Sequence, residues 1–351
     1  MVATGVAVLV ALPYAVGALP ARDSAVSAGA LLDAVRSSAD VPHSGYAESV
    51  GGLALPLTED FTALTDLLGA RTRLRVWWRG DTDWRVDTVR ATGESGLYRD
   101  ADGLWSWDFE RRSAVRTTEP TVRLPRAADV EPAALARRLL SEARPRDAER
   151  LPARRVAGRD APGIRVRPAA GGSTIDRVDA WIDPGSGLGL RVEVHGTGGT
   201  RPVLESAYLS LDLGTPPPAS TRFVPADPAT VRGEINTDLA AAINVFSPAR
   251  PPATLAGLPA RGEGVGSVGS VGSYGTGFTL LIALPLPGRL SRQLRGQLAD
   301  SPGATRAAAG VRLAVGPLSL LLTDPVDRRS WLLTGTVTAA TLDRAAAELA
   351  R

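Results

Sequence analysis

Arg73-Leu74-Arg75-Val76-Trp77-Trp78-Arg79-Gly80-Asp81-Thr82-Asp83-Trp84-Arg85-Val86-Asp87-Thr88 is the stretch that decides the fold class. Leu74, Val76 and Trp78 alternate with Arg73, Arg75, Trp77 and Arg79, a period of two that puts the two sets on opposite faces of a strand. Gly80 to Asp83 is turn-forming, and beyond it Trp84, Val86 and Thr88 alternate with Arg85 and Asp87, so the stretch reads as a hairpin. Further strands are expected over 94–99, 104–110 and 112–118. Others follow around Ile164 and Val166, Val178 to Ile182, Leu190 to Val194, and over 204–213. Upstream, Leu31, Leu32 and Val35 mark a helix over 28–38, and an extended stretch covers 44–50. A short helix follows from a Thr58 cap to a Gly69 stop, with Phe61, Leu64, Leu67 and Leu68 as its stripe. One more helix, over 131–141, turns Leu135, Leu139 and Leu140 inward. The sum is an α+β unit over residues 28–213, a long antiparallel walk of strands with a few helices laid across it.

A sheet of that length twists and curls, and its concave side must be filled. Five of the seven Trp lie between positions 77 and 107. Leu74, Val76, Trp78, Trp84, Trp105, Trp107, Phe109 and Ile182 are the candidates for an apolar ligand cavity. An aromatic core is the competing reading, since pockets and cores use the same side chains.

Residues 214–273 are rich in Pro and Gly and poorly periodic, which reads as a linker with a short helix near Asp238 to Phe246. Val-Gly-Ser recurs at 265–267, 268–270 and 271–273. The formal G-x-G-x-x-G at Gly264, Gly266 and Gly269 has neither the preceding strand nor the following helix that dinucleotide binding requires. Residues 274–351 read as a small α+β domain. It has a strongly apolar strand over 278–286, a helix over 289–298, strands near 311–315, 318–323 and 331–337, and a closing helix capped by Thr338.

All 40 basic residues are Arg, there is no Lys and no Cys, and the net charge is +3 against 37 acids. A P-loop, a Schiff base, thiol catalysis and Cys-based zinc sites are therefore excluded. Acids and bases are interspersed, which argues against nucleic acid as a partner. His43 and His195 sit at strand ends, positions that suit exposure, and no Ser/His/acid set or metal-ligand spacing is visible. No catalytic residue, metal or cofactor is expected, and the chain reads as a binding protein rather than an enzyme. Val2 to Leu19 carries no charge, so residues 1–22 read as a signal peptide or membrane anchor, placing the rest outside the cytoplasm.

Ala180-Trp181-Ile182-Asp183-Pro184 followed by Gly187-Leu188-Gly189-Leu190-Arg191 resembles the strand-turn-strand signature of LolA-like lipoprotein carriers and of the MucB/RseB regulators. His43-Ser44-Gly45-Tyr46 and Leu74 to Trp78 are similar to the start of that fold. The stretches 274–278 and 333–342 are similar to elements of the small second domain of MucB/RseB. The resemblance implies a half-open antiparallel barrel covered by helices plus a smaller C-terminal domain. It implies two roles: clamping a membrane anti-sigma factor or other envelope protein, with lipid sensing alongside, or carrying lipid or lipoprotein acyl chains. In the first role Tyr274, Phe278 and Trp331 are the candidate partner-binding residues.

Overall fold

The computed structural model describes residues 20–53, 67–90, 93–117, 125–169, 171–234, 248–261, 269–326 and 329–351. Residues 1–19, most of the helix expected to end at Gly69, the helix expected near Asp238, and Gly264 and Gly266 lie outside them. Among the described residues no helix is long and apolar enough to cross a membrane.

Alternating side chains do produce strands. β1 (His43–Gly51), β2 (Arg71–Gly80), β3 (Asp83–Arg90), β4 (Gly93–Asp100), β5 (Gly103–Asp108) and β6 (Ser113–Thr117) follow one another as an antiparallel meander. β7 (Ala148–Val156), β8 (Arg159–Val166), β9 (Ile175–Ile182), β10 (Gly189–Gly196) and β11 (Leu204–Asp212) form a second meander, and β11 pairs with β1. β12 (Thr230–Glu234) joins β6 in parallel. The result is one twelve-stranded sheet in the order β12-β6-β5-β4-β3-β2-β1-β11-β10-β9-β8-β7, with the first strand near its middle.

Two helices cover one face of this sheet. α1 (Ala28–Arg36) starts where the Ser27 side chain accepts from the Ala30 N–H. α2 (Pro132–Leu140) starts with Pro132, whose missing N–H costs nothing in the first turn, and is capped by Glu131. Leu31, Leu32 and Val35 of α1 meet Leu135, Ala136 and Leu140 of α2 over Ile164, Val166, Val178, Ala180, Ile182 and Val192 of the sheet. The Gly-rich turn allows this closeness. A Cβ on Gly189 would lie 2.3 Å from the Ala136 Cβ, and Gly187, at φ +76°, would put one 2.4 Å from the Ala34 carbonyl oxygen.

A separate six-stranded sheet follows, built from β15 (Gly272–Thr276), β16 (Thr279–Leu286), β17 (Thr305–Ala307), β18 (Gly310–Val315), β19 (Leu318–Thr323) and β20 (Ser330–Gly335). Their order is β15-β16-β20-β19-β18-β17, with α3 (Gly288–Ala299) and α4 (Ala339–Leu349) packed on it. As read from sequence, the Thr338 side chain caps α4 by accepting from the Thr341 N–H. The two sheets are joined at several points: Thr174 N–H donates to Thr336 O at 3.0 Å, Thr338 N–H donates to Gly172 O at 2.9 Å, and Glu142 accepts from Gly277 N–H at 2.7 Å and from Arg261 Nη1 at 2.6 Å.

The structure adds one strand and corrects two expectations. β7 is a strand the sequence reading did not offer; it is the outer edge of the sheet, where Pro152 and the charges of Arg150, Arg154 and Arg155 discourage further pairing. The stretch 214–273 is not only a linker: it supplies β12, and a hairpin of β13 (Thr254–Leu255) and β14 (Leu258–Pro259) whose Leu255 is fully buried against the small sheet. His43 and His195 are buried, at 0% and 4% exposure, because Val41 O and the Tyr208 hydroxyl meet the ring nitrogens of His43, and Arg177 and Glu193 those of His195.

Candidate functional site: an arginine-rimmed aromatic cleft

On the helix-covered face, His43, Trp78 and Trp84 lie directly opposite one another on β1, β2 and β3. The rings therefore stack: Trp78 and Trp84 centroids are 5.5 Å apart and within 3° of parallel, and His43 lies 6.1 Å beyond Trp78 at 16°. The indole nitrogens are held by backbone, Trp78 donating to Ala39 O at 2.7 Å and Trp84 to Asp81 O at 3.1 Å.

Behind the stack is a buried polar cluster. The Glu131 carboxylate accepts from Ala133 N–H at 2.9 Å, from Ala134 N–H at 2.6 Å and from the Tyr208 hydroxyl. That hydroxyl also meets His43 Nε2 at 2.8 Å, while His43 Nδ1 faces Val41 O at 2.9 Å. Burial alone would raise the Glu131 carboxyl, but the hydrogen bond and charge of His43, with Arg137 and Tyr208, outweigh it and hold the group below the usual carboxylate range. Burial, reinforced by Glu131, pushes the Tyr208 phenol well above its ordinary value. The cluster fixes the start of α2, and with it the wall of the cleft.

In front of the stack is a cleft of about 640 Å³, within the roughly 300–1,000 Å³ range of ligand pockets. Trp78, Trp84 and Leu97 form its apolar floor. Among the described residues, Arg36, Arg99, Arg126, Arg137 and Arg138 line it together with the carboxylates of Asp81 and Asp129. The Arg137 guanidinium lies 5.0 Å over the Trp78 ring, and Arg138 pairs with Asp129 at 3.1 Å. Arg36 donates to Leu140 O and Ala143 O at the end of α2, where carbonyls lack helical partners. A guanidinium rim over an indole floor recognises an anionic group attached to an apolar one.

The sequence-derived cavity list is divided by the register. Trp78 and Trp84 reach the cleft, while Leu74 and Val76 lie deeper on the same face, fully buried. Ile182 is core beneath the two helices. Trp105, Trp107 and Phe109 are on the opposite face: Trp84 pairs with Arg99 and Arg99 with Leu104, so the odd residues of β5 point away from the cleft. Tyr274, Phe278 and Trp331, expected at a partner surface, are all buried. Tyr274 and Trp331 sit in the core of the small sheet, and Phe278 in that of the large one. Sequence reading missed the five arginines, whose only signal is their place on the polar faces of the helices, near the end of β4 and on the loop before α2.

Sequence reading also missed a convergence on the outer face. Asp179, Glu193 and His195 bring ligand atoms within 4.8 Å of one another. Guanidinium groups already hold them: Arg165 is bidentate on Asp179 at 2.7 Å, Arg154 and Arg191 reach Glu193 at 2.9 and 2.8 Å, and Arg177 meets His195 Nδ1 at 3.2 Å. The Glu193 carboxyl, raised by burial, is lowered overall by Arg191, Arg154 and His195. This arrangement is an ion-pair network across the four strands β7 to β10.

No family model matches the sequence, and no curated protein matches it. In structure, the chain is similar to MucB. MucB in complex with MucA(peri) covers 91% of this chain and 96% of its own, at 15% identity and a TM-score of 0.48. The MucA/MucB complex of Pseudomonas aeruginosa gives the same values. A LolA superfamily protein from Nitrosomonas europaea matches 57% of this chain and 99% of its own, at 14% identity and a TM-score of 0.26.

Proposed function

We propose that the chain is a non-enzymatic binding protein of the cell envelope, which holds an extracytoplasmic segment of a membrane anti-sigma factor or another envelope protein. Residues 28–213 carry the cleft, 274–351 form the smaller domain docked on them through Glu142 and Phe278, and 1–22 act as signal peptide or anchor. The observation that carries the reading is the cleft itself. Five arginines over an indole floor bind, and among the described residues that line the cleft none pairs a nucleophile with a base. A peptide segment with carboxylates beside apolar side chains fits, and so does an amphiphile whose anionic head meets the arginines. MucB is crystallised with MucA(peri), and a partner of that kind is the first to seek.

The second reading, a carrier of lipid or lipoprotein acyl chains, is favoured by the apolar floor of Trp78, Trp84 and Leu97. Native mass spectrometry of the full chain, released gently from membranes of its source, separates the two. A membrane protein retained by the wild type and lost from an Arg137→Glu/Arg138→Glu variant supports the regulator. A lipid or acylated peptide retained alone favours the carrier. A wild-type chain that carries neither overturns both.

A further inference from the structure

The outer face of the sheet, opposite the cleft, carries a second built surface. Tyr98, Trp107 and Ala114 are buried there beside Trp105 and Phe109. What buries them is the chain's own segment 216–234. Phe223 inserts among the rings, 4.8 Å from Trp105, 5.1 Å from Tyr98 and 5.9 Å from Trp107. The Phe223 N–H donates to Asp100 Oδ2 at 3.2 Å, and Arg79 holds the Pro216 carbonyl. Seven residues after Phe223 the segment becomes β12, with Thr230 N–H donating to Arg112 O at 2.9 Å and Thr230 opposite Ser113.

This is how a peptide sits in a strand-addition site: one aromatic anchor in a pocket, then main-chain pairing along an open edge. The hold is slight. β12 is the one parallel neighbour in the large sheet, its pairing is weaker per residue than antiparallel pairing, and Val224 and Val231 stay 72% and 51% exposed. We propose that the β6 edge and the Tyr98/Trp105/Trp107 pocket form a peptide-binding surface, kept closed by residues 216–234. The partner it fits is an extended segment of another protein, with an aromatic side chain about seven residues before a strand that pairs in parallel with β6. The surface faces away from the cleft, so the inference is independent of the proposed function.

The test uses the full chain and a fluorescein-labelled peptide of residues 218–234 as probe. A Phe223→Asp chain is expected to bind the peptide at least about tenfold more tightly than the wild type, because apparent affinity scales with the open fraction. The same peptide carrying Phe223→Asp is expected to lose binding. In the wild type, amides of residues 230–233 are expected to exchange hydrogen at least about 100-fold faster than those of β4 and β5. That second readout stands even where the variant fails to fold. A folded Phe223→Asp chain that ignores the peptide, equal affinity of wild type and variant, or exchange at 230–233 as slow as in β4 and β5 overturns the proposal. A dimer formed by exchanging the segment between two copies would replace the partner with a second copy, and overturns it equally.

Discussion

Glu131→Gln tests whether the buried cluster behind the cleft is built as described. The carboxylate accepts three hydrogen bonds, two from the first turn of α2 and one from Tyr208, and faces His43 Nε2 at 3.8 Å. An amide has one acceptor oxygen, so its NH2 group must meet either a backbone N–H or the Tyr208 hydroxyl. Losing part of the cap costs about 1 kcal/mol, and losing the charge on the remaining hydrogen bonds about 1.5–3 kcal/mol, for a total of about 2–4 kcal/mol. In urea, with a slope of about 2 kcal/mol per M, the unfolding midpoint falls by about 1–2 M at pH 7, read by Trp fluorescence. The folded carboxyl titrates below its ordinary value of 4.5, so its contribution is complete above that pH and is lost as the pH falls through the folded value. The gap between wild type and variant therefore narrows below pH 4.5, a difference in which the other acids cancel. Equal midpoints at pH 7, or a gap that stays constant down to about pH 3, would refute the arrangement.

Ile182→Ala removes core beneath α1 and α2, and should cost about 2–4 kcal/mol while leaving amphiphile binding unchanged; a change in binding with stability intact would return Ile182 to a cavity. Gly187→Ala puts a Cβ 2.4 Å from the Ala34 carbonyl at a φ of +76°, where backbone cannot move aside, and calorimetry should show a loss of about 1–3 kcal/mol. Glu142→Ala releases Gly277 N–H and Arg261 together. Global stability should fall by less than about 1 kcal/mol while the Gly277 amide exchanges faster, and unchanged exchange there would deny the latch its role. Binding of dodecyl phosphate to the cleft should weaken as salt rises, and in Arg137→Gln it should be weaker and less salt-dependent; salt-independent binding by the wild type would mean that the guanidiniums do not contact the phosphate.

Much of the fold is legible because alternation is local. Leu74, Val76 and Trp78 are buried and Arg73 and Arg75 exposed, as the period of two requires, and the cap at Thr338 is readable for the same reason. Which face a strand shares with its neighbours is not local. Alternation separates Trp105 and Trp107 from Leu104, but the pairing through β4 decides which set faces the helices, and that depends on where each turn closes. A cleft that needs Trp78, Trp84 and Leu97 on one face is therefore readable only in part, and the Trp count alone merges two surfaces. Burial of the histidines is hidden in the same way: His43 and Tyr208 are 165 residues apart in sequence, and only the pairing of β1 with both β2 and β11 brings them together.

Arginine ties these surfaces together. Compositional bias explains why no Lys is present, but not how the guanidiniums are used. Arg85 lies over Trp77 at 4.6 Å and Tyr98 at 4.8 Å while it forks onto the buried Asp87, and Arg154 lies over Trp181 at 4.0 Å while it reaches Glu193. A planar, weakly hydrated cation can stack on a ring and pair a carboxylate at once, which a Lys ammonium cannot. An open sheet with one face under helices leaves its other face apolar enough to need cover, and stacked arginines supply that cover without a second layer of helices. Where the stacking side chains find their own carboxylates, as around Asp179 and Glu193, the face is closed. At the cleft, Arg137 stacks on Trp78 and Arg138 pairs with Asp129 at the rim of an open cavity, which is where an anionic partner would meet them.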